Sequence, residues 1–176
     1  YQRIREIVQS GMYGNMKRVS WTITDWYRPD GYYASGAWRG TWTGEGGGIL
    51  LNQCPHNLDL LQWICGMPVN VQAFCNEGKY HEIVVEDEVT AYFTFENGAT
   101  GTFYSTTGEA SAINRLEISM EDASCEGEDL EHVGILQNFA DAVDGKAELF
   151  VEGTEGSKSL MFANAMYLSS WIGQMV

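Results

Sequence analysis

The sequence has little positive charge: 10 Lys and Arg face 24 Asp and Glu, for a net charge of −14. Such a surface repels phosphate backbones and anionic lipid, which argues against nucleic acid and membrane as partners. No apolar run approaches the roughly 20 residues that a membrane span requires. The four cysteines, Cys54, Cys65, Cys75 and Cys125, show no CxxC spacing. A chain of 176 residues builds a core that needs no disulfide or metal staple, so reduced thiols and a cytoplasmic location are expected. There is no secretory leader and no Asn-x-Ser/Thr sequon, and the first residue is Tyr1 rather than Met, so the natural start is expected upstream. No GxGxxG follows a strand pattern and no lysine-bearing phosphate loop occurs; the chain does not by itself hold a dinucleotide in the usual way.

What is present reads as one domain over residues 1–176. Ile4, Ile7 and Val8 stand at helical spacing before Gly11 and predict a short helix. Val19, Trp21 and Ile23 alternate with Ser20, Thr22 and Thr24, the pattern of a strand with one buried face. From 25 to 48 the periodicity gives way to aromatics, glycines and two arginines, a long ordered loop. Pro55 at a first helical position, Gly66 past the last turn and Pro68 beyond it predict a helix over 55–65 with Leu58, Leu61 and Ile64 inward.

Period-two runs predict strands around 69–73, 81–86, 88–96, 99–106 and 113–119, with Asn97-Gly98 as a two-residue type I′ hairpin. The acidic stretch 121–131 reads as a surface connection. Leu130, Val133, Leu136, Phe139, Ala140 and Val143 trace a helical face ending at Gly145, and Thr154 is expected to cap a last helix carrying Leu160, Ala163, Tyr167 and Trp171. Helices before and after a block of tightly joined strands predict an α+β domain, a largely antiparallel open sheet with helices packed on one face.

The densest chemistry lies in Glu45-Gly46-Gly47-Gly48-Ile49-Leu50-Leu51-Asn52-Gln53-Cys54-Pro55-His56-Asn57-Leu58-Asp59. Three consecutive glycines let the backbone approach another group closely. His56 and Asp59 stand three apart on one helical face, where a carboxylate orients an imidazole for general acid or base work; from spacing alone a hydrogen-bonded core histidine fits equally well. Cys-x-His is not a zinc spacing, and His81 and His132 bring no ligand pair, so no metal is expected. Cys54 beside Pro55 at a helix start reads as structural. Between 25 and 42, Arg28, Tyr32, Trp38 and Arg39 combine aromatic faces with guanidinium donors, which suits a polar small molecule such as a sugar; loop anchoring and a subunit interface are the alternatives. Glu86-Asp87-Glu88 reads as a solvated edge.

The stretch from Glu45 to Asp59, continued by Leu60-Leu61-Gln62-Trp63-Ile64-Cys65-Gly66-Met67-Pro68, resembles the C-terminal domain signature of the glucose-fructose oxidoreductase and inositol dehydrogenase family. Trp38-Arg39-Gly40, Val85-Glu86-Asp87, Phe95-Glu96-Asn97-Gly98-Ala99 and Asn138-Phe139-Ala140-Asp141-Ala142 are similar to further family segments, so that nearly the whole chain is covered. The resemblance implies the second half of a two-domain dehydrogenase whose Rossmann half, absent here, binds NAD or NADP. It implies hydride exchange at a carbinol carbon of a sugar or cyclitol, with His56 and a lysine of the other half handling the hydroxyl proton. Asn52 and Asp59 would be polar companions of His56, Arg28, Tyr32, Trp38 and Arg39 would contact substrate, and Gly47 and Gly48 would approach the cofactor. The open sheet would build a homodimer or homotetramer.

Two departures stand out. Many members carry aspartate where this chain has Asn52, which hydrogen-bonds a hydroxyl but takes no proton. The connection near 119–131 is shorter than the family's. Without its other half the chain is expected to be inactive as a dehydrogenase. A stand-alone module that binds carbohydrate or scaffolds without catalysis is the alternative reading.

Overall fold

The computed structural model describes residues 1–127 and 153–176. The helix expected from Leu130 to Gly145, with His132, lies outside the described residues.

A helix over Gln2–Ser10 (α1) ends at Gly11 and leads into β1 (Met16–Ile23). Two short helices, α2 (Asp30–Ala34) and α3 (Trp42–Glu45), interrupt the segment read as loop. The glycine motif then feeds α4 (Pro55–Cys65), whose bounds are those predicted by Pro55 and Gly66. The strands β2 (Asn70–Glu77), β3 (Glu86–Thr94), β4 (Thr100–Thr106), β5 (Asn114–Met120) and β6 (Ser124–Gly127) follow, and α5 (Gly153–Ile172) packs behind them, with Thr154 already inside its first turn. The strands form one sheet in the order β2-β3-β4-β1-β5-β6. Among the described residues only the β1–β4 pairing is parallel, so the expected α+β class with a largely antiparallel sheet describes the domain.

Alternation places Val19, Trp21 and Ile23 of β1, Ala91 and Phe93 of β3, Phe103 of β4 and Leu116 and Ile118 of β5 on one face. Leu58, Leu61 and Ile64 of α4 and Phe162 and Met166 of α5 close over them. At roughly 25 cal/mol per Å² of buried apolar area, this two-layer core is the main source of stability. The edge strand β2 is not left bare: Ser169 Oγ accepts from Ala73 N at 3.0 Å and Ser170 Oγ from Cys75 N at 2.9 Å, both from α5. The opposite face carries Phe74, Thr90, Tyr92 and Thr102 and is exposed.

Several expectations need correction. Residues 81–85 form no strand; β3 begins at Glu86, after a turn. The hairpin exists, but its turn is not type I′. Gly98 N donates to Phe95 O at 3.0 Å and Phe95 N to Ala99 O at 2.9 Å, and Gly98 is the only positive-φ residue there, at 82°. This is a three-residue connection, a tight turn closed by a left-handed glycine, and Asn97 Oδ1 stabilises it by accepting from Ala99 N. Part of the acidic connection forms β6, paired with β5.

Candidate functional site

From Gly48 the chain bends into a helical turn, with Asn52 N donating to Gly48 O at 2.9 Å and Gln53 N to Ile49 O at 3.2 Å, before Pro55 opens α4. Proline suits this position because its missing N–H has no partner there in any helix. Leu58, Leu61 and Ile64 turn into the core, which directs His56, in the first turn, to solvent. His56 is therefore not a core histidine. Asp59, one turn on, is partly buried; burial pushes its carboxyl up, against the pull of the Gln62 amide (3.1 Å) and of His56, while Glu155 pushes it further up.

The glycine bend is fixed from beneath by Glu86, a residue that sequence reading assigned to a solvated edge. Glu86 is buried: its Oε2 accepts from Gly48 N and its Oε1 from Leu50 N, each at 3.0 Å, and Tyr167 Oη donates to Oε1 at 2.6 Å. The Glu86 main-chain carbonyl accepts from Ile49 N at 3.0 Å. Burial pushes the carboxyl up, opposed by these hydrogen bonds. A Cβ on Gly48 would collide with the Glu86 carbonyl, and one on Gly47 with the Tyr167 hydroxyl. Close approach is thus the reason for both glycines. The amides of Gly48, Ile49 and Leu50 are engaged by Glu86.

Asp87 and Glu88 are buried too. Asp87 accepts from the amides of Lys79, Tyr80 and His81 at 2.8–3.0 Å and meets His81 Nδ1 at 3.0 Å. The His81 ring spans to the aromatic loop, with Nε2 2.8 Å from Arg28 O. Glu88 binds Lys79 Nζ (2.6 Å), Tyr80 Oη (2.8 Å) and Asn76 Nδ2 (2.9 Å); burial pushes its carboxyl up, but these bonds outweigh it and hold the group below its ordinary range. The three acids are the scaffold of the site. Glu86 gave a faint signal in the sequence because its partners lie far away in the chain, Tyr167 by 81 positions, whereas Asp87 and Glu88 find theirs in the turn that precedes β3.

The loop residues come together as one cluster. Arg39 stacks on Tyr32 at 4.2 Å and on Trp38 at 4.3 Å, and Arg28 lies 5.0 Å from the same Tyr32 ring. Arg39 reaches Glu45 at 4.0 Å, and Glu45 accepts from Gly40 N at 2.5 Å and from Asn52 Nδ2. Glu45 thereby ties the aromatic loop to the glycine motif, joining Arg28, Tyr32, Trp38, Arg39 and Asn52. His56 and Asp59 are carried by α4. Beside the cluster a cleft of about 660 Å³ opens between Tyr33, Arg39 and Gly40 on one side and the turn from Gly78 to Val84 on the other.

Cys54 is buried against Ser105 Oγ at 3.1 Å, and burial pushes its thiol up to about 12, which suits a structural thiol and not a nucleophile. Among the described residues no three His, Cys, Asp or Glu side chains converge in a metal-binding group. No described helix is long and apolar enough to cross a membrane.

A comparison with curated proteins gives no match. Among solved structures, the WlbA dehydrogenase of Chromobacterium violaceum, in complex with NADH and UDP-GlcNAcA, is similar over 99% of this chain at 28% identity with a TM-score of 0.85. The WlbA dehydrogenase of Bordetella pertussis, with the same two ligands, matches over 99% at 26% identity and TM-score 0.85. The fold is shared at 19% identity with a myo-inositol dehydrogenase of Corynebacterium glutamicum, over 99% of this chain and 60% of that one, at TM-score 0.74. This chain spans 58% of the length of either WlbA dehydrogenase. The family model described as the GFO/IDH/MocA C-terminal domain matches residues 1–126, and the chain belongs to that family.

Proposed function

We propose that the chain is the substrate-binding and oligomer-forming half of an NAD(P)-dependent oxidoreductase that acts on a hydroxyl-bearing carbon of a sugar or cyclitol. The observation that carries this reading is the exposed His56, held at the start of α4 behind a bend that Glu86 makes rigid. His56 takes or returns the hydroxyl proton of the substrate. Asn52 hydrogen-bonds substrate without exchanging a proton, Asp59 tunes the polar surroundings of His56, and Arg28, Tyr32, Trp38 and Arg39 contact the sugar. The nicotinamide, which supplies or accepts the hydride, belongs to a dinucleotide-binding half, in keeping with the lack of a GxGxxG motif in this chain.

The two WlbA dehydrogenases contain UDP-GlcNAcA, and a nucleotide-linked sugar is accordingly within the proposed substrate range. The exposed sheet face with Phe74 and Tyr92 is proposed as the contact between copies, giving a homodimer or homotetramer. Cys54 and Cys75 are free thiols, in keeping with a cytoplasmic protein.

The test is a panel of sugars, cyclitols and nucleotide sugars assayed by NAD(P)H absorbance. The 176-residue chain alone is expected to be silent, and a protein joining it to a nicotinamide-binding half to turn over at least one member. Turnover by the chain alone, or none by the joined protein across the panel, would overturn the reading.

A further inference from the structure

His81 lies in the turn before β3, with its side chain buried against the loop that carries Arg28. Asp87 Oδ2 meets its Nδ1 at 3.0 Å and already accepts from the amides of Tyr80 and His81, so it faces the ring as an acceptor. Nε2 is 2.8 Å from the carbonyl of Arg28, which also can only accept. A neutral imidazole carries one N–H and satisfies one of the two oxygens. Both contacts close together only when each nitrogen bears a proton, with Asp87 as the partner of the resulting charge. Tyr33 packs against the same ring, centroids 4.8 Å apart.

Arg28 is thereby clamped at both ends of its main chain, since its N–H donates to Thr107 O at 3.0 Å. Thr107 N in turn donates to Asp87 O at 3.0 Å, so the clamp closes back on the residue that orients His81. From this fixed peptide the Arg28 guanidinium extends to 5.0 Å from the Tyr32 ring, which Arg39 faces at 4.2 Å. We infer that His81 is a positioning residue for the substrate loop: doubly protonated, it holds the main chain at Arg28 and so sets where the Arg28 side chain meets the substrate. The inference rests on the reading of Arg28 as a substrate contact and adds a residue that acts through it. Without the Nε2 donor the Arg28 carbonyl loses this partner, and the peptide keeps only its bond to Thr107.

Two replacements separate the contacts of the ring. His81→Gln puts an amide donor where Nε2 stands and keeps the bond to Arg28 O, whereas His81→Asn puts one where Nδ1 stands and keeps only the contact with Asp87. Exchange of the Arg28 amide in the 176-residue chain, followed by NMR, reads the clamp directly. It is expected to speed up about 10-fold in His81→Asn and to stay within about 2-fold of wild type in His81→Gln. Proton–nitrogen spectra at the same pH should show a proton on each ring nitrogen of wild-type His81. Unchanged exchange in His81→Asn, equally fast exchange in both variants, or a bare Nε2 overturns the inference. Far-ultraviolet circular dichroism checks folding; should neither variant fold, the ring protons of the wild type decide. In a protein joined to a nicotinamide-binding half, His81→Asn should raise KM by about 10-fold with kcat little changed, and His81→Gln should restore it. An unchanged KM in His81→Asn overturns the positioning role even where the exchange rates are as expected. Turnover by no form, wild type included, overturns the sugar reading instead, and the exchange rates then decide the clamp.

Discussion

Replacing Glu86 should loosen the whole site, and the size of the effect follows from its partners. In Glu86→Ala the amides of Gly48 and Leu50 and the hydroxyl of Tyr167, at 3.0, 3.0 and 2.6 Å from the carboxyl oxygens, lose their acceptor together. A buried donor left unmade costs about 1–3 kcal/mol. Removing a carboxyl that burial disfavours offsets part of that sum, so the expected net loss is about 2–4 kcal/mol, a large share of an ordinary domain's stability of roughly 5–15 kcal/mol. With a urea slope of about 2 kcal/mol/M, the midpoint followed by tryptophan fluorescence should fall by about 1–2 M. Glu86→Gln retains one acceptor oxygen and should lie between wild type and alanine. An unchanged midpoint in Glu86→Ala would mean that the glycine bend is held by something else, and the scaffold role of Glu86 would be refuted.

The same carboxyl gives a pH signature. Burial raises its pKa in the folded state, so its contribution is complete below the ordinary carboxylate range and is lost as pH rises through the folded value. The stability advantage of wild type over Glu86→Gln should therefore shrink as pH rises above the ordinary carboxylate range, as read from urea midpoints; an advantage that grows with rising pH would contradict the assignment. Gly48→Ala drives a methyl into the Glu86 carbonyl and should lower stability by about 1–3 kcal/mol in the same assay, whereas Gly46→Ala meets no atom and suffers only from its φ of 78°. Cys54, its thiol pushed up to about 12, should resist a thiol reagent at pH 8 until the protein unfolds; fast labelling of the native protein at this position would show the site to be open. Tyr92→Glu on the exposed sheet face should shift light-scattering mass toward monomer, and a wild type already monomeric at micromolar concentration would remove that face as an interface.

The elements that could be read from the chain were those whose signals are local. Pro55, Gly66 and Pro68 punctuate α4 within 14 residues, and the alternation of Val19, Trp21 and Ile23 needs only the period of a strand. The turn at Asn97 shows where local reading fails: the dipeptide fits type I′, but Asn97 keeps negative φ and its side chain closes the turn on Ala99 N instead. Glu86-Asp87-Glu88 misled for a different reason. Three adjacent acids look solvated when their neighbours in sequence are considered, and become intelligible only when Gly48, Tyr167, Lys79 and His81 are brought to them by the fold. For His56 spacing left core and surface roles equal; its solvent exposure follows from Leu58, Leu61 and Ile64 occupying the inward side of α4.

The most direct measurement is steady-state turnover of His56→Gln in a protein that joins this chain to a nicotinamide-binding half, with the substrate that the panel identifies. Loss of the proton acceptor should lower kcat by about 10²-fold or more with KM changed little, since glutamine keeps a hydrogen-bonding side chain at the same place. A variant that turns over as fast as wild type would take His56 out of the reaction and the enzymatic account with it.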